Sequence, residues 1–168
     1  MPSPKAKGLE ELFTDTLKDI YFAEKQIIRA LPKMAKSASS QELSQAFEKH
    51  REETEGHVER LEEIFETMKK PARGKTCDAI MGIIEEGKEI MEGYAGDPAL
   101  DAGLAASAQA VEHYEIARYG TLRTWAEQLG MKDAAMILNF LNETLQEEIK
   151  TDQLLTKLAT SMVNQKAA

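Results

Sequence analysis

Four long stretches of this chain carry apolar residues at helical spacing, and each also carries a glutamate on the stripe that should face inward. These are Glu24, Glu53, Glu115 and Glu147, with His50 and His57 about one turn either side of Glu53. The inside of a soluble helical bundle is ordinarily filled by Leu, Ile and Ala. Taking even one uncompensated carboxylate out of water costs several kcal/mol. Four of them in one interior need counter-charge, which two divalent cations supply. The pattern predicts an all-α four-helix bundle built around a dimetal-carboxylate centre.

Composition agrees with helices. Only 5 prolines and 10 glycines interrupt 168 residues, and the apolar share of 42% is enough for one domain with a substantial core. The net charge of −8 leaves no basic footprint, so no nucleic-acid partner is expected. No apolar run reaches membrane-spanning length and no secretory h-region is visible. A cytoplasmic protein without membrane attachment is the expectation. Cys77 is the single cysteine, which excludes an internal disulfide and suits a reducing compartment. A small buried residue is its expected role.

Along the chain, residues 1–8 read as a flexible tail, 9–163 as the bundle and 164–168 as a frayed C-terminus. The first helix is marked by Phe13, Leu17, Ile20, Ile27, Leu31 and Met34, with Pro32 expected to kink it or to start a shifted last segment. Ser39 or Ser40 can cap the second helix, whose period runs through Leu43, Phe47, Leu61, Ile64, Phe65 and Met68. A shorter stretch from Cys77 to Met91 is too long for a hairpin. It can return the chain along the bundle, making the second and third main helices parallel. The third main helix spans about Leu100 to Leu129 and ends at Gly130. The fourth runs from about Lys132 to Met162, with Ile137, Phe140, Leu154, Leu155 and Leu158 facing in. A weak two-fold echo sets Glu53 against Glu147 and Leu61 against Leu155.

The candidate ligands fall on these faces. Glu24 lies between Ile20 and Ile27, and Glu53 between His50 and His57. A competing reading makes one histidine a satisfied core residue and pairs Glu53 with Arg51 or Arg60. Glu112 precedes Glu115 by one turn, and Glu143 precedes Glu147 by another. Glu148 and Asp152 are expected to face outward or to support the ligands. The full candidate set is Glu24, Glu53, Glu115, Glu147, His50, Glu112, His57 and Glu143; whether His50 or His57 binds stays open. Such oxygen and imidazole donors suit two divalent ions, iron first, with manganese or zinc as alternatives. Tyr21 and Tyr114 could donate hydrogen bonds to ligands or simply pack. His113 is expected at the surface or between helices.

The segments LKDIYFAEKQIIRALPKMAK, AFEKHREETEGHVERLEEIF, VEHYEIARYGTLRTWAEQLG and NETLQEEIKTDQLLTKLA resemble the YciE/YciF family of bacterial stress-associated proteins, within the ferritin-like superfamily. The resemblance covers almost the whole chain after the tail. It implies a ferritin-like four-helix bundle, with a short extra helix in the long crossover between the second and third main helices. It also implies a homodimer with a dimetal centre, in a family without an established activity. One departure stands out: ferritins and rubrerythrins pair Glu with His three residues on, where this chain has Gly56 after Glu53 and Lys150 after Glu147. The function expected is a dimetal bundle protein of the stress response that reacts with O2 or peroxide or oxidises Fe(II). The alternative is a non-catalytic stress protein whose metal or carboxylate cluster stabilises a dimeric bundle.

Overall fold

The computed structural model describes residues 6–168, apart from the side chain of Met162. Of the expected tail, residues 1–5 lie outside the described part, and 6–8 are exposed and non-helical. Helix α1 spans Leu9–Ser37 and starts where Glu11 Oε2 accepts the Gly8 N–H at 2.8 Å, satisfying a donor that the first turn leaves open. It runs through Pro32, whose ring sits on the exposed side. Helix α2 spans Gln41–Thr67 and is capped by Ser40, whose Oγ accepts from Leu43 N at 3.3 Å.

Helix α3, Asp78–Gly93, lies in the crossover, followed by α4 (Leu100–Leu129) and α5 (Ala134–Leu158). Gly130 takes the left-handed conformation (φ 52°) that ends α4, which allows the tight connection into α5. At the C-terminus, where a frayed end is expected over 164–168, the chain continues in helical form. A π turn over Ala159–Val163 leads into a last short helix, α6, Asn164–Ala167.

Contacts between helices give their directions. Asp101, in the first turn of α4, accepts the Ser39 and Ser40 N–H groups at 2.7 Å each, tying the α1–α2 turn to the start of α4. Further along, Tyr119 of α4 meets Glu24 of α1, and Glu112 of α4 meets His50 of α2. Helices α2 and α4 are therefore parallel, and α1 and α4 antiparallel. Helix α5 runs against α2, since Thr151 lies beside His50 and Thr144 beside Arg60. This up-down-down-up order is that of a ferritin-like bundle, with α3 as the extra crossover helix. The apolar core fills both ends, with Phe13, Leu17, Phe65 and Leu122 among its fully buried side chains and Leu43 and Leu104 at the other end. Polar groups occupy the middle.

Candidate metal centre

Each of the four long helices contributes to that middle. Helix α1 buries Glu24 between Ile20 and Ile27; α4 buries Glu112, Glu115 and Tyr119 in one line. The buried stripe of α2 runs Phe47, His50, Thr54, His57, Leu61, and that of α5 runs Leu141, Thr144, Glu148, Thr151, Leu155. Glu24, His57, Glu115 and Glu148 have no exposed surface at all, and Glu112 and His50 have 1% and 3%.

Glu148 lies between the two histidines. Its Oε1 is 3.0 Å from His57 Nδ1 and its Oε2 is 3.6 Å from His50 Nε2. Around it the donors form two groups sharing this one carboxylate: His50, Glu112, Glu115 and Glu148, and Glu24, His57 and Glu148. Within each group the ligand atoms all lie within 4.8 Å of one another, close enough for the groups to hold metal ions. His50 Nε2 is also 3.0 Å from Glu112 Oε1, and His57 Nδ1 is 3.4 Å from Glu24 Oε1.

The same residues are short of hydrogen bonds. Six carboxylate oxygens, from Glu24, Glu112, Glu115 and Glu148, and the inward nitrogens of both histidines are buried without an aligned hydrogen bond. Among the described residues, every unpartnered buried side-chain nitrogen or oxygen belongs to this cluster. Buried polar groups are nearly always satisfied, so a concentration of open acceptors at one point fits cations.

Each imidazole has a second partner on its outer nitrogen. His57 Nε2 contacts Glu147 Oε2 at 3.0 Å, and His50 Nδ1 contacts Glu53 Oε2 at 3.6 Å and Thr151 Oγ1 at 3.4 Å. A metal-bound histidine is commonly held in just this way, by an outer acceptor that fixes its tautomer and ring plane. Glu24 has its own support, because Tyr119 donates its hydroxyl proton to Glu24 Oε1.

Protonation follows from these neighbours. Burial disfavours charge on His50, but the Glu112 carboxylate, then Glu53 and Glu148, raise its pKa to about 10. His57 is likewise raised against its burial, by Glu24, Glu147 and Glu148. Glu112 and Glu115 are pushed well up, first by burial; for Glu115 the surrounding carboxylates add to this, while His50 opposes it for Glu112. Glu148 is held below the usual range despite burial, because His57 and His50 favour its ionised form. Contact with His57, reinforced by Arg60, brings Glu147 down to about 2.

The expected sites are thus rearranged. Glu24, His50, His57, Glu112 and Glu115 converge. Glu53 and Glu147 stand at the rim, with 28% and 26% of their side chains exposed, each behind a histidine. Glu143 is 49% exposed and paired with Arg60 at 3.1 Å, away from the cluster. Glu148, expected to face outward or to support the ligands, is fully buried between the histidines. The inward face of α5 is rotated by one residue, about 100° of helix, from the face read through Phe140, Glu147 and Leu154. Tyr21 instead donates to Glu62 at 2.7 Å, and Tyr114 contacts Cys77 Sγ at 2.9 Å; the tyrosine at the cluster is Tyr119. His113 is exposed and pairs with Asp152 at 3.1 Å.

Residues 8–168 match the family described as a domain of unknown function, DUF892. The chain belongs to this family. It is 48% identical over 162 residues to protein YciF of Escherichia coli strain K12, covering 96% of each chain. The crystal structure of the E. coli stress protein YciF superposes with a TM-score of 0.88 at 46% identity, over 95% of this chain and 99% of that one. YcfI from Rhodopseudomonas palustris, described as a candidate structural protein, gives 0.86 at 44% identity over 93% and 98%. A protein of Xanthomonas campestris pv. campestris shares the fold at 22% identity, with a TM-score of 0.70 over 94% of both chains. These solved structures share the helical bundle with this chain. No helix among the described residues is long and apolar enough to cross a membrane.

Proposed function

We propose that this chain is a dimetal-carboxylate protein of the bacterial stress response, holding two divalent ions, iron first among the candidates. The observation that carries this reading is Glu148, whose two oxygens face the two histidines from the centre of the bundle. Glu148 would serve both ions. His50, Glu112 and Glu115 would hold one, His57 and Glu24 the other. Bound iron would supply redox chemistry toward O2 or peroxide, or the oxidation of further Fe(II). The protein's part is to position and to shield. Glu53 and Glu147 fix the imidazole planes, and Tyr119 fixes Glu24 through its hydroxyl. The stress assignment draws on the E. coli relative, which is described as a stress protein.

Protein purified without chelator should consume O2 or peroxide when Fe(II) is added, and Glu148→Gln should abolish this while retaining the helical fold. Equal rates in the two proteins would contradict the reading.

One observation favours a second reading, in which the metal only staples the bundle. Four of the six cluster side chains have no exposed surface, which gives an incoming reactant little access. The R. palustris relative is described in keeping with that role. Chelation that lowers the melting temperature, in a protein without Fe(II)-dependent turnover, would select this alternative.

A further inference from the structure

A second feature lies beside the cluster. Helix α3 rests on α1 and α4, and between the three is a cavity of about 190 Å³. Its walls are apolar: Ile27 and Met34 from α1, Met81, Ile84 and Met91 from α3, and Val111 from α4. A cavity of roughly 150 Å³ with such walls accommodates benzene, so this one has room for a short alkyl chain. Methionine side chains adapt their shape to a flexible guest. Glu112 also lines the cavity; one of its carboxylate oxygens meets His50 at 3.0 Å, so the cluster borders the apolar space on that side.

The edge of the cavity has the opposite character. Arg29 and Lys33, one turn apart on α1, are exposed and line it. Neither has an ion-pair partner among the described residues. Lys88 lies across from them on α3, held by Glu85 at 2.8 Å. Arg29 and Lys33 thus place two positive charges beside the apolar recess.

We infer that this cavity binds a single-chain anionic amphiphile, a free alkyl carboxylate, with its tail among the methionines and its head on Arg29 and Lys33. The fit rests on apolar volume and charge complementarity, and it goes beyond the metal reading without depending on it.

The test is calorimetric titration of chelator-treated protein with octanoate and, in parallel, octanol. Using metal-free protein keeps failure here distinct from failure of the metal reading. Octanoate should bind, and Arg29→Glu with Lys33→Glu should weaken it by about tenfold or more while leaving octanol within about twofold. Ala30→Trp, at the cavity wall, should remove both ligands; Ala30→Leu should weaken both if the tryptophan variant does not fold. Absence of octanoate binding would overturn the proposal, as would binding that neither the charge reversals nor the Ala30 substitutions change. So would a wild-type dimer, detected by sedimentation, that Ala30→Trp splits and octanoate does not, because the cavity would then belong to an interface between copies.

Discussion

Arg60 grips Glu147 through both of its terminal nitrogens, at 2.6 Å to Oε2 and 3.1 Å to Oε1. This fork leaves the carboxylate fully engaged, because Oε2 also meets His57 Nε2. In the proposed centre Glu147 would therefore be a positioning residue, one step removed from the ions. Glu147→Gln should keep both metals and lower their affinity by about 10–100-fold, the usual effect of losing the outer partner of a ligating histidine. Competitive titration against a chelator of known affinity measures this. Loss of one whole equivalent of metal in Glu147→Gln would place the residue among the ligands after all.

The pH dependence of the metal-free protein has a definite sign. His50 titrates at about 10 when folded and at 6.5 in its ordinary state. Between those values the folded chain holds a proton that the unfolded chain has lost, so its stabilising effect is full below 6.5 and disappears as pH rises toward 10. Glu112 and Glu115 act in the same direction, since their raised values keep protons that the unfolded chain releases above 4.5. Urea unfolding of chelated protein should show lower stability at about pH 9 than at about pH 6.5. Metal binding would displace these protons, so affinity should rise with pH and protons should appear in the buffer on loading. Calorimetry in two buffers of different ionisation enthalpy would show the release.

Tyr119 offers a test of the buried network that leaves packing alone. Tyr119→Phe removes the hydroxyl donated to Glu24 and keeps the ring, which is 6.3 Å from the His57 ring centroid. Leaving Glu24 without that donor should destabilise the metal-free protein by about 1–3 kcal/mol. Chemical denaturation measures it. An unchanged midpoint would mean that the hydroxyl contributes no stability.

The seating of α3 depends on a glycine. A Cβ at Gly103 would stand 2.5 Å from Ile90 Cγ2, well inside contact distance. Gly103→Ala should therefore push α3 off α4 and cost about 1–3 kcal/mol, the range for overpacking. Adding Ile90→Ala, which removes the clashing methyl, should recover part of that loss relative to Ile90→Ala alone. A double-mutant cycle with no coupling would contradict the close approach.

Much of this architecture can be read before any coordinates are known. Four amphipathic stripes, Gly130 and the long segment between α2 and α4 are enough to expect two hairpins joined by a crossover. Glu24, Glu112 and Glu115 are legible because narrow apolar stripes frame them, and the two histidines because one turn of helix separates each from Glu53. Helix α5 is different. Phe140, Leu141, Leu145, Leu154 and Leu155 spread over a wide arc, so the expectation that turns Glu147 inward and Glu148 outward or to a supporting place rests on a face that is easily set one residue off. The structure separates them: Leu141 and Leu155 are 1% exposed, whereas Leu154 is 37% exposed and Phe140 only half-buried. The two-fold echo compounds the ambiguity. Setting Glu53 against Glu147 also sets Thr54 against Glu148, and it is the second pair that lies on the buried stripes. Tyr119 is not legible as a partner of Glu24 because tyrosine in an apolar line reads as packing; only the approach of α1 to α4 brings its hydroxyl to a carboxylate.

In the proposed centre one carboxylate, Glu148, would serve two ions. The direct measurement is metal content by mass spectrometry of wild-type, Glu148→Gln and Glu147→Gln proteins, each purified without chelator and checked for helical content. The wild type should carry two equivalents per chain and Glu147→Gln two, whereas Glu148→Gln should lose both. Two equivalents retained in folded Glu148→Gln, or none in the wild type after loading with Fe(II), Mn(II) or Zn(II), would contradict the proposed centre.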